Sequence, residues 1–174
     1  MNKCVFLDRD GVLNEDRTDY VYRIEDMIVP DGVVEALQLL KEAGYLLIVV
    51  TNQAGIAKGM YSREDVMQCH RHLQDLCGNL LDDIYYCPHH PDYDTRSLLR
   101  KPDSLMLEKA IAKYNIDVSR SWMIGDAIRD MQAGRRVGVR TVHITNDRQK
   151  PAVSDRQAPN LLEASRMVVS AVMA

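Results

Sequence analysis

Two aspartates two positions apart, Asp8 and Asp10, follow the apolar run Cys4-Val5-Phe6-Leu7 and precede Gly11. One carboxylate can attack an electrophile while its neighbour serves as general acid and base, and carboxylate nucleophiles that form aspartyl-phosphates are an established kind of covalent catalyst. Acids this close repel unless a cation sits between them, a need met by a hard, oxygen-seeking ion such as Mg²⁺. The same residues also read as an acidic Asp-Gly turn, so alone they decide nothing. Asp126, after Gly125, is either a third carboxylate for the cation or the N-cap of the helix that follows. Asp130, one turn further on, either supports such a site or faces solvent. Thr51-Asn52-Gln53 supplies a hydroxyl, an amide and backbone N–H groups able to hold phosphate oxygens, or else a capping turn. Lys101, in Arg100-Lys101-Pro102, can neutralise a transferring phosphoryl group, or belongs to a solvated basic pair. Each bland reading is respectable singly; the joint occurrence favours chemistry.

Such groups must be carried to one place, and the apolar periodicity says how. Short apolar runs alternate with helix-period segments, the pattern of an α/β protein with a mainly parallel sheet. Strands are predicted at Cys4–Leu7, Leu46–Val50, Asp83–Tyr86, Trp122–Ile124 and Val139–Ile144. Helices are predicted over Asp31–Ala43 with Asp31 as cap, Ser62–Leu76 with an acidic first turn, Asp103–Tyr114, Ile128–Arg136 and Leu161–Val172. Segment 87–101 has no periodicity and two prolines, so it is expected as a loop, and 147–158 as a surface connection. Asp8, Thr51 and Asp126 each stand just after a predicted strand, and in open α/β sheets ligands bind at the strands' carboxyl ends.

The 174 residues have room for one domain, taken as 1–174. With 46% hydrophobic and 27% charged residues the chain is an ordinary globular protein, which excludes disorder and fibre. A net charge of −3 leaves no footprint for nucleic acid, and no apolar run reaches the roughly 18–20 residues that span a bilayer. The start of the chain does not read as a signal peptide, so a cytoplasmic location is expected, with Cys4, Cys69, Cys77 and Cys87 as thiols. Trp122 is expected in the core, and His70 and His72 have no metal-ligand spacing.

Asp8-x-Asp10-Gly11-Val12, Thr51, Lys101 and Gly125-Asp126-x3-Asp130 come in the order and spacing of the four motifs of the haloacid-dehalogenase-like phosphatases, which the chain resembles over most of its length. The strings around Leu7–Gly11, Val50–Gly59, Tyr85–Pro91 and Arg100–Pro102 resemble the branch that dephosphorylates D-glycero-D-manno-heptose 1,7-bisphosphate, a pattern shared in large part by histidinol-phosphate phosphatases. The resemblance implies a Rossmann-like parallel sheet flanked by helices, without a large cap domain. It implies Asp8 as nucleophile and Mg²⁺ ligand, and Asp10 as proton donor, water activator and Mg²⁺ ligand through its carbonyl. Thr51 and Lys101 would hold the phosphoryl group, and Asp126 would complete the metal site. Asn52, Gln53 and Arg100 fall at the substrate, with the loop Asp16–Tyr20 and the loop 87–101 shaping the pocket.

Two departures stand out. The branch holds structural zinc in this loop through Cys-x-His and a later Cys-x-Cys. Here Cys87 and His89 are present, but Ser97-Leu98-Leu99 replaces the second pair. Two of four ligands are not enough for structural zinc, so a zinc-free loop packed by Leu98 and Leu99 is expected, His90, Asp92 and Asp94 being the only other candidate ligands. The branch also often carries Lys after the fourth motif's aspartate, where this chain has Ala127. The expected activity is Mg²⁺-dependent hydrolysis of a small phosphorylated metabolite by a monomer. The alternatives are histidinol phosphate as substrate, a non-catalytic phosphate-binding module, or a phosphotransferase, against which the missing cap leaves any intermediate open to water.

Overall fold

In the computed structural model, which describes residues 1–147 and 153–171, the apolar runs become strands β1 (Lys3–Leu7), β2 (Tyr45–Asn52), β3 (Asp83–Cys87), β4 (Trp122–Gly125) and β5 (Arg140–Ile144). A sixth strand, β6 (Arg156–Ala158), completes one sheet of order β3-β2-β1-β4-β5-β6, with every neighbouring pair parallel. The helices are α1 (Val33–Glu42), α2 (Arg63–Leu76), α3 (Leu105–Tyr114), α4 (Ile128–Val137) and α5 (Leu161–Ser170).

The continuous apolar runs follow from the sheet being covered on both faces. Alternate strand residues enter two cores, as the two-residue period of a strand requires. Val5, Leu7, Leu47, Val49, Trp122 and Ile124 join residues of α1, α2 and α5 in one core. Cys4, Phe6, Ile48, Val50 and Met123 join α3 and α4 in the other. From β1 the order proceeds through β2 and β3 to one side, and from β4 through β5 and β6 to the other. The carboxyl ends of β1 and β4 therefore flank the point where the order reverses, which is where open α/β sheets leave a crevice. The fold is a Rossmann-like α/β core, and among the described residues no large cap domain covers that crevice.

Local sequence explains several boundaries and misses others. Ser62 caps α2 reciprocally: its hydroxyl accepts the Asp65 N–H at 3.1 Å and its own N–H donates to Asp65 Oδ2 at 2.7 Å. Asp31, expected to cap α1, does not: Gly32 holds the cap position with φ 86° and the helix starts at Val33. β2 runs two residues further than the apolar run, so Thr51 and Asn52 are its last rungs, opposite Tyr86 and Cys87. α3 begins at Leu105, later than the expected Asp103. β6 corrects the expected surface connection: Arg156–Ala158 pairs with Val142–Ile144 as an edge strand, too short and too polar to show a period. Residues 148–152 of that connection, and Val172 at the expected end of the last helix, lie outside the described residues. All four cysteines are buried free thiols, Trp122 is core, and among the described residues no helix is long and apolar enough to cross a membrane.

Candidate active site

Lys101 is the hub of the strand-end crevice. It is 1% exposed, and its Nζ donates to Val50 O at 2.7 Å while lying 2.9 Å from Asp8 Oδ1 and 2.7 Å from Asp130 Oδ1. One ammonium thus hydrogen-bonds the Val50 carbonyl and forms ion pairs with two carboxylates. Burial alone would weaken this lysine's hold on its proton, but Asp130 and Asp8 outweigh it and hold the proton more firmly than usual. Its backbone is clamped to the end of β2, where the Asn52 carboxamide both accepts the Lys101 N–H and donates to the Lys101 carbonyl, each at 3.0 Å. Asp8 is anchored from the sheet, its N–H donating to Ile124 O at 3.0 Å across the β1–β4 boundary. Asp8 Oδ1 accepts the Arg9 N–H at 2.8 Å in addition to facing Lys101, which leaves Oδ2 for a reacting group or an ion. Burial, and then the Asp130 charge, push the Asp8 carboxyl well above the usual carboxylate range, with Lys101 offsetting only part.

Asp10 is held by a second set of donors. Its Oδ1 accepts from Arg9 Nε (3.1 Å), Arg9 Nη2 (2.9 Å) and Asn14 Nδ2 (3.0 Å), and its Oδ2 accepts from Gln53 Nε2 at 3.1 Å. Arg9 is fully buried and also donates to Val21 O at 2.7 Å, so it ties Asp10 to the chain just after the loop Asp16–Tyr20. Gln53 Nε2 further donates to Thr51 Oγ1 at 2.9 Å, and Gln53 Oε1 accepts from the Tyr61 hydroxyl at 2.8 Å. The expectation of Gln53 on the substrate is corrected by this placement: it is 1% exposed and its amide is spent inside the protein, bracing Thr51 and Asp10 from behind.

The acids converge as a cation site requires. Among the described residues, the one group of three or more potential ligands is Asp8, Asp126 and Asp130, with ligand atoms within 4.8 Å of one another. Two unit charges at that separation repel by about 3.5 kcal/mol at an effective dielectric near 20. When all three are ionised, as a bound cation favours, the carboxylates exceed the single Lys101 ammonium by two negative charges, the complement of a divalent ion. The Asp126 carboxyl is pushed up to about 6, by burial first and then by Asp130, with Arg129 offsetting part. Its Oδ1 is buried without a hydrogen-bond partner, whereas the Asp130 oxygens are engaged by Lys101 and by the Ala127 N–H at 3.1 Å. Asp130 rather than Asp126 thus closes the first turn of α4, and it does not face solvent. The residues fit Mg²⁺, with Asp8 and Asp126 as the side chains open to it. His143 Nε2 lies 3.0 Å from Asp126 O and fixes that loop from β5. Gly11, at φ 80°, must lack a side chain here, because a Cβ would collide with the Asp126 carboxylate.

A cavity of about 250 Å³ opens over these groups, walled by Asp8, Asp10, Asp16, Arg17, Tyr20, Asn52 and Arg129 among others. Three larger clefts, of about 510, 470 and 320 Å³, lie away from the strand-end acids, by Thr145 and Met167, by Met67 and His70, and by Glu35 and Arg166. Asp16, Tyr20 and Asn52 line this cavity. Tyr20 holds a left-handed backbone, φ 68°, with Lys58 Nζ 5.2 Å from its ring centroid and Tyr61 edge-on at 5.9 Å. Arg100 is not on this wall; it is half-buried, with Nη1 3.5 Å from His89 O.

The neighbouring loop does not fit zinc. Cys87 is fully buried with Sγ 3.9 Å from His89 O, and His89 Nδ1 lies 2.6 Å from Asp94 Oδ2. Asp94 Oδ1 accepts the N–H groups of His90 (2.8 Å) and Thr95 (2.7 Å), so a carboxylate knot ties the loop. Leu98, expected to pack the loop, is 60% exposed; Leu99 packs against the α3 core. Sequence reasoning passed over Arg9, Asn14, Tyr61, His143 and Arg129. Only Arg9 bore any mark, as a cation wedged between two acids.

Residues 4–138 match the family described as haloacid dehalogenase-like hydrolase. A D-glycero-beta-D-manno-heptose-1,7-bisphosphate 7-phosphatase of Haemophilus ducreyi is 44% identical over 147 residues, 80% of each chain. The protein of the same description from Pasteurella multocida is 41% identical over 173 residues, 94% of this chain and 93% of its own. Among solved structures, the D,D-heptose 1.7-bisphosphate phosphatase from B. bronchiseptica, complexed with magnesium and phosphate, superposes with a TM-score of 0.86 at 26% identity, covering 97% of this chain and 99% of its own.

Proposed function

The chain belongs to the haloacid dehalogenase-like hydrolase family and is a phosphatase, and from that premise we propose that it hydrolyses the C7 phosphate of a D-glycero-D-manno-heptose 1,7-bisphosphate through an aspartyl-phosphate on Asp8. The observation that carries the mechanism is the pair of aspartates held differently at one cavity. Asp8 has one oxygen pinned and one open, and Asp10 is fixed by four hydrogen bonds while its side chain stays 21% exposed.

Asp8 Oδ2 attacks phosphorus in line as the bond to the sugar oxygen breaks, and Asp10 gives its proton to that leaving oxygen. Water then attacks the Asp8 phosphoryl group, Asp10 takes the water's proton, and the bond from Asp8 to phosphorus breaks to release phosphate. The Lys101 ammonium, buried and held charged, stands beside the charge that spreads over the phosphoryl oxygens. Thr51, its hydroxyl oriented by Gln53, would hold one of those oxygens. Asp8, Asp126 and the Asp10 carbonyl would hold Mg²⁺, which supplies charge neutralisation between nucleophile and phosphate when bound.

The test is phosphate release from both anomers of heptose 1,7-bisphosphate and from histidinol phosphate, with and without Mg²⁺, the products read by ³¹P NMR. Mg²⁺-dependent loss of the C7 phosphate with C1 retained is the expected result. Preferential release from histidinol phosphate would move the chain to that substrate, and silence on every compound would point to a binding module.

A further inference from the structure

We propose that Arg129, on the cavity wall, is the seat for a second anionic group of the substrate, a phosphate at the end of the sugar remote from Asp8. This rests on the reading above, that the substrate is a sugar bisphosphate.

The wall is a poor host for a doubly charged substrate. Asp8, Asp10 and Asp16 all face the cavity, and Lys101 is consumed beneath the reacting phosphoryl group. A second phosphate near these acids is repelled unless a cation on the wall receives it. Two basic side chains stand there, Arg17 and Arg129. Arg17 is already committed, with Nε 3.0 Å from Asp19 Oδ1 and Nη1 2.8 Å from Asp26 Oδ1. Arg129 forms no hydrogen bond or ion pair among the described residues; its charge acts on Asp126 and Asp16 only through space, so its planar donor fork is open to a phosphate. It is the second residue of α4, three positions after Asp126, so the turn that presents a cation ligand also presents this guanidinium. Ala127, beside Asp126, contributes no charge, which leaves Arg129 as the cation of that turn.

Arg100 supports the same reading from the other loop. No carboxylate pairs with it among the described residues, and its weak bond to His89 O leaves most of its donors unused. Burial first, and then the positive charge of Arg129, lower its affinity for its proton, with Tyr20 and Asp92 acting the other way, so Arg100 lies within electrostatic reach of Arg129. A phosphate held by Arg129 relieves that repulsion.

The experiment measures kcat/KM with Mg²⁺ on heptose 1,7-bisphosphate and on heptose 7-phosphate for wild type, Arg129→Ala and Arg129→Lys, with thermal unfolding confirming the fold. A charge-assisted contact is worth about 1.5–3 kcal/mol. The ratio of bisphosphate to monophosphate kcat/KM should therefore fall about 10- to 100-fold in Arg129→Ala, chiefly through KM, and recover in part in Arg129→Lys. Equal losses on both substrates, or an unchanged ratio, overturn the seat. If wild type ignores the heptose bisphosphate, the proposed function fails separately. The ratio is then taken on fructose 1,6-bisphosphate against fructose 6-phosphate, where a preference for the doubly charged sugar that Arg129→Ala abolishes upholds the seat and its absence overturns it.

Discussion

Asp8 and Asp94 are both aspartates with several partners, yet the protein treats them in opposite ways. Asp8 sits at 4% exposure beside two distant stretches of chain, Lys101 and the Asp126–Asp130 turn, and burial with a neighbouring acid drives its carboxyl up. Asp94 sits in an exposed loop, bonded to His89, His90 and Thr95, and the His90 N–H first, then His89, draws its carboxyl down to about 2. The first arrangement concentrates charge that the folded chain alone does not balance, and it suits binding an ion and a phosphate. The second satisfies every charge from within and suits holding a loop still. Convergence from afar makes a site; local satisfaction makes a scaffold.

The contrast can be broken, beginning with its largest consequence. Asp8→Asn should lower kcat at least about 10⁴-fold, because it removes the nucleophile itself. The metal-free protein should melt no lower than wild type, since the substitution also removes a carboxylate crowded by Asp130. Phosphate release and thermal unfolding read the two effects, and a destabilised variant would mean that Asp8 is structural. Lys101→Met comes next, leaving two buried carboxylates unpaired at a cost of about 3–5 kcal/mol in urea unfolding. The pH dependence has a definite sign. The folded Asp8 holds its proton more tightly than the unfolded chain does, so its favourable contribution is complete below the ordinary carboxylate range and is lost as pH rises. Removing the ammonium pushes the same way, so the deficit of Lys101→Met should grow from pH 5 toward pH 8.

Smaller effects sharpen the comparison. Asn52→Ala removes both bonds to the Lys101 backbone and should cost about 1–3 kcal/mol in stability, with kcat falling about 10- to 100-fold as Lys101 drifts. An unchanged kcat would show that Val50, Asp8 and Asp130 suffice to place the ammonium. Asp94→Ala should leave the urea midpoint where it is and accelerate hydrogen exchange at the His90 and Thr95 amides. Because the Asp94 carboxyl is lowered, its contribution is present above the ordinary carboxylate range and lost as pH falls through about 2, so loop exchange in wild type should show no Asp94 transition between pH 5 and 8. A transition in that window would assign the loop's order to another group.

Much of this was legible from residue types and spacing. Strands read well because parallel strands buried on both faces are written as unbroken apolar runs, as in Leu46–Val50. Asp8, Thr51 and Asp126 were legible as polar residues at the ends of such runs, whereas Lys101 comes from a loop. β6 did not, because three polar edge residues carry no period. Gln53 was legible as a polar residue at a strand end, but whether its amide faced a ligand or Asp10 depends on Tyr61, eight residues on, and on the β1 loop.

The sequence alone determined the α/β class, the strand-end positions of Asp8, Thr51 and Asp126, and the thiol state of the cysteines, because each depends on local pattern or composition. Tertiary structure alone decided that Lys101 lies between Asp8 and Asp130, that Arg9 is buried against Asp10, that Asp94 bonds His89, His90 and Thr95, and that Arg17 is paired while Arg129 forms no hydrogen bond or ion pair among the described residues. The physical reason is range. Backbone periodicity and capping act within a few residues, whereas desolvation and charge pairing depend on which distant segments the sheet order brings to one end.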